Sequence, residues 1–201
     1  RTQATSTKAR SRSSPKRSAI GDTAGMPRRD ANLPDVAAAP ADNPGSCGCP
    51  TISAALAAAQ AKGANAADLL TAIIVGYEVS TRIGLAVQPS HYKYWHTTGT
   101  IGTYGAAAAV ATILKLDREK FAHALATSAT MAAALQQAFR SDSMSKPLHA
   151  GHAAEAGAMA ALSAEYGMTG ALDVLEGEAG FGAAMSTTVD WSKATAGLGA
   201  H

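Results

Sequence analysis

A chain of 201 residues is long enough to bury one good-sized core. Hydrophobic residues make up 47% of it but aromatics only 5%, with Ala and Gly prominent, so the interior has to be built by close approach of backbones, which favours helix packed on helix. The net charge of +2 comes from residues 1–48, which hold eight Lys/Arg against four Asp/Glu; the remainder has nine against eleven and no basic stripe interleaved with aromatics, which argues against a nucleic-acid partner.

Up to residue 48 the chain is rich in Arg, Ser, Pro, Thr and Gly, and Lys8, Arg10, Arg12, Lys16 and Arg17 all precede the first acid, Asp22. Such a stretch cannot bury enough to fold, so residues 1–48 are expected to be a disordered tail or a segment unrelated to the rest of the chain; an organelle transit peptide is the other reading. Cys47 and Cys49 are too close to staple a fold and have no Cys or His at zinc-finger spacing. The long apolar runs are Ala-rich and broken by Gly, Thr or charge, short of the roughly 18 strongly apolar residues of a membrane span. No membrane partner is expected, and the chain is read as soluble and cytoplasmic.

From Pro50 the character changes. Thr51 to Lys62 is predicted as a helix with Pro at its start and Gly63 as its stop. Asn65 is placed to cap a second helix, with Asp68 at the third position and Leu69, Leu70, Ile73, Ile74, Tyr77 and Val79 recurring near the helical period until about Leu85. A ring-rich loop, His91 to His96, leads through Thr97-Thr98-Gly99-Thr100 into an Ala-rich helix ending near Lys115, in which Gly99, Gly102 and Gly105 mark a tight contact with another helix. Asp117 caps a helix predicted from Arg118 to about Phe139. Beyond the polar break at Arg140 to Ser143, the segment from Ser145 enters a helix to about Tyr166 with Gly167 terminating it; Thr169 caps a short helix to about Leu175, then come a turn-rich piece to Gly182 and a polar end. No alternating strand is found. The expected fold is all-α, an Ala-rich array of helices with short connections.

Two places carry candidate chemistry. His96 stands beside Thr97, Thr98, Gly99 and Thr100 at a helix start, where backbone N–H groups, the helix dipole and hydroxyls suit an anionic oxygen and an imidazole can move a proton. The structural alternative is plain Thr capping, with the His packed under a loop. Lys146, fixed by Pro147 at the mouth of the next helix, could pair with a carboxylate as a point charge. His149 and His152 lie one helical turn apart beyond it, but only Glu155 stands at supporting spacing, so no metal is expected; one His lining a pocket and the other packing or capping is the plainer reading. The Cys49 thiol next to a helix start is read as inert. Neither nucleotide-binding glycine signature is met, so no nucleotide is indicated.

Taken together, three stretches resemble the MmgE/PrpD family in order and separation: Trp95-His96-Thr97-Thr98-Gly99-Thr100-Ile101-Gly102, Met144-Ser145-Lys146-Pro147-Leu148-His149-Ala150-Gly151-His152-Ala153-Ala154, and Leu175-Glu176-Gly177-Glu178-Ala179-Gly180-Phe181. The resemblance runs from about Pro50 to Leu198, with the K-P-L-H-x-G motif its most specific part. It implies a large all-helical domain, here without the smaller lid, in a homodimeric lyase that uses no cofactor. The implied reaction dehydrates or decarboxylates a small polycarboxylate resembling 2-methylcitrate or cis-aconitate. It also implies His96 and Lys146 as the catalytic pair, His96 moving the proton or orienting substrate and Lys146 binding a carboxylate. Thr97, Thr98, Gly99 and His149 become the substrate-binding surroundings. The chain departs from the family before Thr51, where Cys49-Pro50 replaces a His-Pro and Ala39 stands near the place of an expected Asp. Impaired turnover is therefore expected, and an inactive helical scaffold, or an epimerase or isomerase of an amino-dicarboxylate, are the competing readings.

Overall fold

Every residue of the helix Thr97–Ile113 except Thr112 is buried, and the other long helices are laid around it. Its sequence explains this position: between Thr97 and Ile113 it has no charged side chain and no polar face, so it cannot lie at a surface. The structure, a computed structural model, describes residues 48–199, all within the compact unit Ala38–His201. In chain order the helices are α1 (Gly48–Lys62), α2 (Ala66–Val87), α3 (Thr97–Ile113), α4 (Arg118–Ala129), α5 (Leu148–Glu165), α6 (Phe181–Met185) and α7 (Ser192–Thr195). Single 3-10 turns occur at Ser90–Lys93 and Gln136–Phe139. Among the described residues there is no strand, and the fold is all-α as expected. The readings placed on residues 1–47, Cys47 included, lie outside the described residues.

Small side chains bring the helices against α3. A Cβ on Gly102 would press on Pro50 of α1 at 2.8 Å, and one on Gly105 would meet Thr51 of α1 and, at 3.1 Å, both Gly76 and Ser80 of α2. Each three-residue step turns about 60° short of a full circle, so the three glycines fan over about 120° and face different neighbours. Gly99 accordingly faces Ala133 and Ala134 in the loop after α4 together with His149 at the start of α5. On another side Gly157 of α5 sits directly on the α3 backbone at Thr103 and Ala107. The larger apolar groups gather where α2 and α3 meet α6: Ile83, Val87, Ile101, Tyr104 and Phe181 form one cluster, with Trp191 packed on its edge.

The helix ends follow the local chemistry. The Asn65 side chain accepts from the Asp68 N–H at 2.9 Å, the Asp117 side chain accepts from the Lys120 N–H at 2.9 Å, and Gly63 and Gly167 take positive φ after α1 and α5. Pro50 lies in the first turn of α1, where its missing N–H costs no intrahelical bond. Arg82 of α2 donates to the carbonyls of Ala194 and Ala196, and the Asp190 N–H donates to Ala86 O at 2.8 Å, which lays the α7 segment along α2.

Two predicted elements differ. Helix α4 ends at Ala129, not near Phe139, because the chain beyond it is used for pairing: His96 N–H donates to Ala134 O at 3.0 Å and Gln136 N–H to Tyr94 O at 2.9 Å, an isolated antiparallel bridge between Trp95 and Leu135. Tertiary pairing overrides the Ala-rich helix propensity there. No helix forms over 169–175; Gly170 is pressed onto the α4 backbone at Ala126 and Thr127, and the chain continues as turns. Instead a short α6 starts at Phe181, whose ring drops into the core. Among the described residues α2 alone has the length and composition of a membrane span, which a core helix can also have. It carries Asp68, Glu78 and Arg82 and buries Ala72, Gly76, Ser80, Ile83, Ala86 and Val87 along the bundle.

Candidate active site at the start of the central helix

His96 is the residue through which α3 begins. Its backbone is extended (φ −86°, ψ 110°), its N–H is held by Ala134 O, and its ring is buried. From the facing end of α5, His149 brings Nδ1 to 2.9 Å from Nδ1 of His96. The close approach is possible because Gly99, one turn into α3, has no side chain: a Cβ there would collide with Ala134 and stand 3.4 Å from His149 Cβ. Phe139, from the 3-10 turn, completes the group. Its ring meets the His96 ring edge-on with centroids 4.8 Å apart, and Lys146 Nζ lies 4.6 Å from its centroid. Thus the imidazole of the ring-rich loop and the ammonium of the Lys-Pro turn meet one phenyl ring, His96 buried and Lys146 exposed.

The electrostatics follow from that crowding. Burial, and then the positive charges of His149 and Lys146, push His96 from its ordinary 6.5 down to about 4. Burial also lowers His149, helped by His152 and Lys146. At neutral pH both rings are uncharged, beside an ammonium that is drawn to anions. An exposed ammonium of this kind can pair with a carboxylate as a point charge, and a neutral imidazole nitrogen can take or give a proton.

Of the other residues singled out from sequence, Thr97 and Thr98 are buried in the first turn of α3, inside the helix rather than ahead of it. The Gly99 N–H donates to His96 O at 2.9 Å, so this amide is engaged within the turn and Gly99 serves packing here. His152 and Glu155 are exposed on α5, and no group of three His, Cys, Asp or Glu gathers as metal ligands among the described residues. Cys49 is an exposed free thiol in the first turn of α1. Two residues escape the sequence reading. The helical pattern puts Phe139 at the end of α4, and only its proximity in space gives it a place here. His91 is one ring among several in its loop, yet it is fully buried, with Nε2 2.8 Å from Thr100 Oγ1 and Nδ1 3.1 Å from Met185 O. Because a carbonyl only accepts, Nδ1 carries the proton and Nε2 accepts from the Thr100 hydroxyl. Burial lowers His91 to about 4.

Residues 38–194 match the model of the MmgE/PrpD N-terminal domain, which covers most of the chain. The chain belongs to the MmgE/PrpD family. The match takes in residues before Pro50 and ends just short of the last helix's final residue. Among characterised proteins, the chain is 39% identical over 118 residues to the human (Homo sapiens) cis-aconitate decarboxylase and 36% identical over 118 residues to that of the mouse (Mus musculus). Each alignment covers 58% of this chain and 24% of the relative, so the chain spans about a quarter of the length of the curated relatives it matches.

Proposed function

We propose that the MmgE/PrpD domain of this chain carries the helical side of a lyase site for a small polycarboxylate, with a cis-aconitate-like acid as substrate and decarboxylation as the reaction. The observation that carries the reading is the meeting of His96 and Lys146 on the ring of Phe139. Lys146 takes one substrate carboxylate as a point charge, and His96 moves the proton at the neighbouring carbon. Thr97, Thr98 and His149 border the same place. A polyanion bound here offsets the Lys146 charge that holds the imidazolium down, so binding itself raises the basicity of His96 towards the working pH. The two decarboxylases similar in sequence favour this reaction over the family's dehydration chemistry.

Isothermal titration of the chain with cis-aconitate and with citrate tests the reading. Saturable binding that His96→Ala and Lys146→Ala each abolish supports it; binding that survives both substitutions, or no binding at all, removes it. The reading includes a cytoplasmic homodimer. Leu148, Met159, Leu162 and Tyr166 leave the outer side of α5 apolar and exposed, and sedimentation of the chain should show a concentration-dependent dimer.

A further inference from the structure

We infer that His96 and His149 form a proton-sharing dyad, in which His149 is the relay residue connecting the buried His96 imidazole to water. The two Nδ1 atoms lie 2.9 Å apart, a hydrogen-bond distance. Two neutral imidazoles can make that hydrogen bond only if one donates its Nδ1–H and the other presents a bare Nδ1. Each neutral ring has a single N–H. The donating ring therefore has a bare Nε2, and the accepting ring has its proton on Nε2. One outer nitrogen of the pair is a base while the other is an acid, and the roles exchange when the shared proton crosses the gap as the acid nitrogen gives up its proton and the base nitrogen takes one.

The two rings are also unequally placed. His96 is buried and packed on Phe139, whereas His149 is half-buried next to exposed His152 and exposed Lys146. Lys146 and His152 are the charged or titratable groups that act on the pair, from the turn before α5 and from α5 itself. The positive charge of Lys146 beside the pair opposes extra protons on the dyad, so a proton entering at one outer nitrogen favours departure at the other. Water is thus the source at His149, and the buried ring is the point of delivery.

This inference rests on the lyase reading for what receives the proton. When a carboxylate leaves as carbon dioxide, the carbon–carbon electron pair stays on the substrate carbon, which must take up one proton. In the dyad that proton leaves Nε2 of His96, the Nδ1–H of His149 crosses to Nδ1 of His96, and Nε2 of His149 takes a replacement from water, leaving a hydroxide that combines with the released carbon dioxide as bicarbonate. One C–H bond has formed, one C–C bond has broken, and the pair has its original proton count with the tautomers exchanged.

Two-bond proton–nitrogen correlation spectra of the 15N-labelled chain near neutral pH test the dyad without any substrate. The His96 and His149 rings are assigned by His96→Phe and His149→Phe, with circular dichroism confirming that each variant stays helical. The dyad requires the Nδ1 occupancies of the two rings to add to one proton, frozen on one ring or averaged over both, and whichever ring holds Nδ1–H should move to the Nε2–H form when its partner is replaced by Phe. Two rings that both hold their proton on Nε2, as free histidine prefers, would overturn it, as would an Nδ1–H ring indifferent to the loss of its partner. Failure here with acid binding intact removes the relay alone. A dyad without acid binding removes the lyase reading and leaves the relay.

Discussion

The His91 ring provides a quantitative test of how α2, α3 and α6 are held together. Its ordinary value is 6.5 and its folded value about 4, so between those limits the unfolded chain binds a proton that the folded chain refuses. The sign is therefore fixed: stability is full above about pH 6.5 and falls as pH drops through the window towards 4. At about pH 5 the solution is about one and a half units below the ring's unfolded value, and at about 1.4 kcal/mol per unit the loss attributable to His91 is about 2 kcal/mol. His91→Gln removes the titration while retaining an amide able to reach Met185 O or Thr100. Urea unfolding followed by circular dichroism, at about pH 7.5 and about pH 5, should show the parent chain losing about 2 kcal/mol more than the variant across that interval. The variant is expected to be the less stable of the two at the higher pH, because the paired bonds are imperfectly replaced. A variant with the same pH slope as the parent would show that His91 is accessible to protons in the folded state, and the buried bridge from Thr100 to Met185 would be wrong.

Packing of α5 on α3 gives an opposed pair of substitutions. Gly157→Ala places a Cβ 2.6 Å from Ala106 Cβ, Ala107 N and Thr103 O, and should cost about 1–3 kcal/mol. Gly151→Ala, in the same helix with nothing within 4 Å, should gain about 0.5–1 kcal/mol, so thermal melts of the two variants move in opposite directions. Asn65→Ala deletes the cap on Asp68 N–H and should lower stability by about 1 kcal/mol in the same melts, with no effect on acid binding because α2 starts far along the chain from His96.

Much of this fold is legible because its signals are local. Asn65 and Asp117 cap the helices they precede in sequence, Gly63 and Gly167 stop the helices that run into them, and the Ala-rich run of α3 reports its own burial. The errors fall where distant parts of the chain decide. Nothing in Ala132-Ala133-Ala134 says that this run will pair with the loop at Tyr94 to His96, and nothing in Thr169 to Leu175 says that Gly170 must touch α4. The candidate site divides in the same way. His96 and Lys146 can be chosen from residue type and motif, whereas Phe139 joins them only because α4 ends about ten residues earlier than propensity suggests. His91 looks like its neighbours Tyr92 and Tyr94 because a sequence does not show which ring of a loop turns inward.

The burial of α3 has a consequence for how this site tolerates change. His96 is mounted on the end of a rod gripped along its whole length by four other helices, with methyl groups and glycines as the gripping surface. A side chain enlarged at Ala106 or Ala109, many ångströms along the axis, has no outlet to solvent and can be accommodated only by shifting the rod. The imidazole would travel with it. Substitutions that never approach the reacting atoms should therefore be felt there as misalignment, and the alanines of α3 are as much a part of the aim of His96 as the residues that touch it.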